Sequence, residues 1–207
     1  MNKKDDILIW DDTYGVGFCP VISDGVYNES YYNRCLNMGL TETGSKIVDM
    51  RIGLVRKWIV PEETILDFGI GSGIFLQTFG SGNGFDVNPV GIKWLKERNA
   101  YVDPYKKEGT IDNICFWDSF EHIYYPLLII KKIKSFIFMS LPIFSDRQTT
   151  LQSKHFRPDE HFWYFTHDGL ILFMKNNNFN LMEFNKMEQE VGREDVNTYV
   201  FKRVTQP

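Results

Sequence analysis

Three glycines at every second position, Gly69, Gly71 and Gly73, stand between an apolar run, Thr64 to Phe68, and a helical stretch, Ile74 to Phe79. At a strand-to-helix junction, glycines let the backbone turn sharply and approach a ligand with no side chain in the way. The feature asks for a parallel α/β sheet with crossover helices and for a small ligand at the ends of its strands. Beyond Phe79 the chain repeats the alternation. Apolar runs at Gly84 to Val87, Ala100 to Val102, Ile111 to Trp117 and Ser135 to Leu141 predict further strands, with helices at Pro89 to Asn99 and Pro126 to Lys134. Eight residues separate the third and fourth strands, too few for a full crossover helix.

Upstream, Val48, Ile52, Val55 and Ile59 recur at helical spacing, so an amphipathic helix runs from Ser45 until Pro61 stops it, with Arg51 on the polar side. Residues 13 to 28, rich in Gly, Pro, Ser, Asp and Asn, read as an irregular arm. Downstream, Pro142 to Phe165 reads as a long irregular segment suited to a lid, and Thr166 as the N-cap of a helix carrying Leu170, Ile171, Phe173 and Met174. Two closing runs, Phe179 to Asn185 and Val196 to Val204, predict an antiparallel hairpin at a sheet edge. The expected organisation is one α/β unit over 61–207, with 1–60 as an arm and helix packed on it.

Composition narrows the function. Residues 1 to 45 hold seven acids against three bases, which accounts for the whole net charge of −4. The remainder is balanced, and its one tight basic group, Lys131, Lys132 and Lys134, is no phosphate-tracking stripe, so nucleic acid is disfavoured as a partner. No apolar run approaches the roughly 20 residues of a membrane span, and the start of the chain lacks the apolar core of a secretory signal; a cytoplasmic protein is expected. Cys19, Cys35 and Cys115 form no C-x-x-C pair, so neither a disulfide framework nor a metal site is expected.

The segment Asp67-Phe68-Gly69-Ile70-Gly71-Ser72-Gly73 departs from the G-x-G-x-x-G spacing of nicotinamide-binding folds, since position 74 is Ile. Instead it resembles the first motif of the class I methyltransferases that use S-adenosylmethionine, small-molecule type, in which an acid stands two before G-x-G-x-G. Asp86, in Gly84-Phe85-Asp86-Val87-Asn88-Pro89, matches the second motif, an acid that holds both ribose hydroxyls; a carboxylate accepts two such bonds at once. Phe116-Trp117-Asp118-Ser119-Phe120-Glu121-His122 resembles the run after the fourth strand. His161-Phe162-Trp163-Tyr164-Phe165-Thr166 is similar to the His-x-x-Tyr-Phe-Thr pattern after the fifth.

The resemblance implies a Rossmann-like sheet of seven strands, mostly parallel with the last antiparallel, and an N-terminal helical arm. It also implies that Asp67, Gly69, Ile70, Gly71, Gly73, Asp86, Val87, Trp117 and Asp118 bind S-adenosylmethionine. His122 and His161 become the candidate proton acceptors, because neutral imidazole takes up a proton near pH 7. The acceptor implied is a small molecule or sugar. DNA-base methylation is disfavoured: Asp118-Ser119-Phe120-Glu121 has no proline, and Cys115 follows Ile114 inside a strand rather than forming a Pro-Cys nucleophile. Two readings remain beside catalysis by methyl transfer: a non-catalytic cofactor-binding module and a nicotinamide-dependent oxidoreductase.

Overall fold

The computed structural model describes residues 7–20 and 27–204. Its centre is a parallel core of β3 (Ile65–Phe68), β4 (Asn83–Phe85), β5 (Ile111–Trp117) and β6 (Ile133–Phe144), flanked by β8 (Phe179–Asn185) and β9 (Val196–Arg203). The hydrogen-bonded order is β4-β3-β5-β6-β9-β8, and β9 runs antiparallel to both of its neighbours. This is the mixed, Rossmann-like sheet expected, with the last strand reversed. The closing hairpin differs in one respect: β9 lies inside, between β6 and β8, so only β8 is the edge. The burial of each strand follows, since Val196 to Phe201 are all buried whereas β8 alternates.

Ala100 to Val102 does not form a strand. It contributes only a parallel bridge between Gly84 and Tyr101, because the chain turns at once at Asp103, whose carboxylate accepts from the N–H groups of Tyr105 and Lys106. The amphipathic helix is α2 (Glu42–Trp58), preceded by α1 (Glu29–Gly39). With α3 (Ile74–Phe79) and α4 (Pro89–Glu97), α2 covers one sheet face, packing Val48, Ile52, Val55, Phe75 and Leu95 on Ile65, Cys115 and Phe138. The other face carries α5 (Leu127–Ile130) and α7 (His167–Asn176), whose Ile129, Ile130, Leu170 and Met174 pack on Ile114, Phe116, Ile137 and Met139. Thr166 caps α7 as expected, accepting from Gly169 N.

The stretch from Pro142 to Phe165 is not irregular. It contains the end of β6, helix α6 (Arg147–Gln152) with an Asp146/Thr149 capping box, and most of β7 (Trp163–Thr166). Nor is the arm purely irregular and helical: β1 (Ile9–Asp11) and β2 (Val16–Phe18) form a hairpin, and β2 pairs with β7. Residues 21–26 of the arm lie outside the described residues. β7 in turn runs parallel to Ile143 and Phe144, so β6 leaves one set of partners and joins another just past Pro142, which has no N–H to give a ladder. These strands bring His161 and its neighbours back toward the end of β5.

Register between β5 and β6 slips between Ile111 and Asn113, where β6 has an extra residue. Asn113, fully buried, repairs the gap: its side chain accepts from Phe136 N at 3.2 Å and donates to Thr64 O at 3.1 Å. Asn113→Ala would leave a buried N–H and a carbonyl unpartnered. It should lower stability by about 1–3 kcal/mol, read as a lower urea midpoint with an unchanged slope.

Candidate functional site

The glycine loop is held closely between two strand ends. Gly69 has φ 79°, and a Cβ there would fall 2.7 Å from the Cβ of Ser119, so only glycine fits. Ser119 Oγ donates to Phe68 O at 2.5 Å, tying the end of β3 to the residues after β5, and Gly69 N donates to Phe85 O at 2.8 Å, tying it to β4. Asp86 follows β4 and is buried; its Oδ2 accepts from Gly71 N at 3.1 Å and its Oδ1 from Asn88 N at 2.7 Å. Burial raises its pKa, and these backbone donors oppose the rise. Asn88 caps α4 and donates to the carbonyl of Asn28 at 2.8 Å, while Tyr32 Oη donates to Ser72 O at 3.1 Å, so the start of α1 braces the loop from above.

Two cavities meet at this loop, one of about 230 Å³ and one of about 360 Å³, and they share Tyr31, Gly69, Gly71 and Asp118. They are two lobes of one cleft. The first is lined by Asp86, Val87, Tyr105 and Ser119 and by Tyr27, Tyr124, Phe162 and His122. The second runs beneath α2 and is lined by Asp67, Ile70, Trp117, Arg51 and Arg193. Two buried polar atoms of its lining residues, Asp67 Oδ1 and Trp117 Nε1, have no hydrogen-bond partner among the described residues. Burial pushes Asp67 up to about 7.

Asp118 closes the end of β5 with φ 55°. Burial works against its ionisation, but Arg193 and then Arg51 hold its carboxyl below the usual range. Arg193 Nη2 donates to Asp118 Oδ1 at 2.8 Å and Arg51 Nη2 to Oδ2 at 2.8 Å. Both arginines also pair with Glu188, whose side chain is wholly buried; Arg51 Nε reaches it at 2.7 Å. Arg51 further donates to Ser140 Oγ at 2.8 Å and lies 4.9 Å from the centre of the Trp117 ring.

On the far side of Asp118, a single 3₁₀ turn, Phe120–His122, carries Glu121 and His122. His122 lines the first lobe. Its Nδ1 donates to Glu160 O at 2.8 Å and lies 3.0 Å from Tyr27 Oη. Burial lowers the pKa of His122, and the Glu160 carbonyl opposes this. His161 is 5% exposed, lines neither lobe and stands edge-on behind His122, with ring centres 4.6 Å apart. Burial, reinforced by His122, depresses its pKa well below the histidine range.

The methyltransferase-domain family matches residues 46–183, two thirds of the chain. The chain belongs to this family. Solved structures alike in fold include a methyltransferase from Haloferax volcanii in complex with the Trm112 activator, at TM-score 0.66 and 12% identity, covering 86% of this chain and 96% of that one. An S-adenosylmethionine-dependent methyltransferase of Thermotoga maritima aligns at TM-score 0.60 and 12% identity over 85% and 98% of the two chains. Magnesium protoporphyrin IX methyltransferase of Synechocystis, crystallised with S-adenosylhomocysteine, aligns at 0.60 and 12% over 86% and 96%. A search of curated proteins finds no match to the sequence. The cofactor of this methyltransferase is S-adenosylmethionine.

Of the nine residues expected to hold that cofactor, eight line the cleft of this methyltransferase: Asp67, Gly69, Ile70, Gly71, Asp86, Val87, Trp117 and Asp118. Gly73 does not; with φ 79° it starts α3, packed on Trp94. Sequence reasoning missed Arg51, Glu188 and Arg193, and it put Arg51 on a polar face although it is only 9% exposed. It left Glu121 without a role. Tyr27 and Tyr31 line the first lobe, whereas Tyr32 braces the glycine loop.

Two outcomes are expected from these charges. Arg51→Met strands Glu188 beside a single cation and should cost about 3–5 kcal/mol in chemical unfolding, with partial recovery in the double variant Arg51→Met/Glu188→Leu. Asp67 behaves differently with pH. Its carboxyl ionises near 3.8 when unfolded and near 7 when folded, so between these values the folded chain keeps a proton that the unfolded chain has lost. This group's contribution to stability therefore falls as pH rises from about 4 to about 7. Asp67→Asn should gain on wild type across that window, measured as unfolding free energy at several pH values.

Proposed function

We propose that the chain transfers the methyl group of S-adenosylmethionine to an oxygen, nitrogen or carbon of a small-molecule acceptor. The observation that carries this reading is the joining of two lobes at Gly69, Gly71 and Asp118, with Asp86 lining one lobe and Asp67 the other. The residues fit the cofactor. Asp86 has acceptor capacity left for two ribose hydroxyls after its two backbone bonds, Val87 offers a 57% exposed apolar face to an adenine, and the orphaned Asp67 Oδ1 and Trp117 Nε1 suit the polar methionine end. When bound, the cofactor supplies a methyl already activated by its sulfonium.

The chain's task is then to hold the acceptor in line and to exclude water. Tyr27, Tyr31, Tyr124 and Phe162 bound the part of the first lobe beside His122 and give an acceptor an apolar, aromatic seat. With Nδ1–H donating to the Glu160 carbonyl, neutral His122 keeps a lone pair on Nε2 that can take the acceptor's proton. His161, shut out of both lobes, acts by packing behind His122 rather than on the acceptor. The balanced charge of residues 46–207 favours a metabolite or sugar over a nucleic acid.

S-adenosylhomocysteine should bind and raise the melting temperature. Asp86→Ala should weaken binding at least about tenfold, the effect of losing a charge-assisted hydrogen bond. His122→Gln should leave that affinity intact and lower kcat by about 10²–10⁴-fold. Calorimetry with S-adenosylhomocysteine and transfer from methyl-labelled cofactor to a metabolite extract check these separately; no binding at millimolar ligand would end the reading.

A further inference from the structure

Glu121 is 2% exposed, its Oε2 is buried, and that oxygen has no hydrogen-bond partner among the described residues. A buried carboxyl oxygen left unpaired is costly and calls for a counterpart that the described residues do not provide. Two imidazoles stand close to it. One ligand-capable atom from each of Glu121, His122 and His161 lies within 4.8 Å of the other two.

The three residues come from two segments that are fixed to each other. Phe162 N donates to Glu121 O at 2.8 Å, and the side-chain Nε1 of Trp163 donates to Ile123 O at 2.8 Å, so one backbone and one side-chain hydrogen bond join the 3₁₀ turn to the segment entering β7. The turn at Arg157, whose carbonyl accepts from His161 N at 2.8 Å, sets the position of His161.

We propose that Glu121, His122 and His161 form a binding site for a divalent transition-metal ion, with zinc the best chemical match. Two imidazoles and one carboxylate are a donor set that zinc accepts, with bonds of roughly 2.0–2.2 Å and a fourth position for an exchangeable ligand. The supporting shell is also in place. Ligating histidines generally donate their second ring N–H to a carbonyl or carboxylate, and His122 Nδ1 already donates to Glu160 O at 2.8 Å, which leaves Nε2 for a metal. Tetrahedral ligands at such bond lengths stand roughly 3.4 Å apart, so the cluster, whose ligand atoms lie within 4.8 Å of one another, contracts by up to about 1.4 Å on binding, within reach of side-chain torsions.

His122 is the member that lines the cleft, so the fourth position would open toward the first lobe. There the ion would draw in an oxygen of the acceptor and lower the pKa of a hydroxyl, and His122 would serve as a ligand instead of a proton acceptor. That role rests on the methyl-transfer reading; the binding site does not.

The test uses the full chain, freed of metal with a chelator and titrated with ZnCl₂ by calorimetry, without cofactor. One equivalent should bind with a dissociation constant near or below about 1 µM. Glu121→Gln and His161→Gln should each weaken binding by about 100-fold or more, beyond the roughly 10–100-fold lost when a group that only orients a ligand is removed, and His155→Gln, outside the cluster, should not. Should a variant fail to fold, the wild type still decides: zinc-edge X-ray absorption must count two imidazoles, and Co²⁺ must give the visible absorption of a four-coordinate site. Absence of stoichiometric binding, binding unchanged in folded Glu121→Gln and His161→Gln, or a coordination sphere without two imidazoles overturns the proposal. Parallel titration with S-adenosylhomocysteine separates that failure from failure of the methyl-transfer reading.

Discussion

Four charges beneath the cleft hold its parts in relation to one another. Arg51 comes from α2, Asp118 from the end of β5, and Glu188 and Arg193 from the connection between β8 and β9, so the N-terminal helix, the central sheet and the C-terminal hairpin meet at one neutral cluster. Arg51 and Glu188 are shielded from solvent, so breaking their pair leaves a charge that water cannot restore, whereas Asp118 and Arg193 remain 32% and 27% exposed at the cleft. The cluster also fixes Asp118 in the left-handed region, an unfavourable conformation for a residue with a Cβ, which persists only where surrounding contacts over-determine it. The floor of the cleft therefore has its shape before any ligand arrives.

Around this floor, similar carboxyls are set to different tasks. Asp118, faced by two guanidinium groups, is ionised throughout the physiological range. Asp67, on the next strand and without a close donor to its Oδ1, is poised near 7. Glu121 is pushed by burial, and further by Asp118, up to about 8. The same side-chain chemistry yields a fixed anion, a group near its midpoint and a mostly protonated acid, and what separates them is the presence or absence of a cation within hydrogen-bond reach.

What was legible in the sequence is what local chemistry determines. β5 spans Ile111 to Trp117 and α3 spans Ile74 to Phe79 as read, and the glycine loop declares itself because a tight strand-to-helix turn admits little else. Arg51 was opaque for the opposite reason: three after Val48 and four before Val55, it borders the apolar stripe, but its charge reads as solvent-facing, and its partners lie 67, 89 and 137 positions away. The same holds for Pro142 to Phe165, where β7 has four residues and exists because β2, far upstream, pairs with it. A motif was visible around His161, but its exclusion from the cleft depends on how those strands return it behind His122.

The wall beside Tyr105 is built in an unusual way. Where a third crossover strand would run, there is one bridge at Tyr101 and then a turn, and the ammonium of Lys132 spends its three hydrogens on the carbonyls of Pro104, Tyr105 and Lys107. A ladder of paired strands would commit this wall to a fixed register, in which any insertion shifts every residue beyond it. A single side chain gripping three carbonyls imposes no register, so the wall is free to gain or lose residues over evolutionary time while the sheet stays intact. The part of the cleft that meets one end of a ligand is thus the part whose length can drift most cheaply, and a divergent relative could reshape its ligand there with no change to the core.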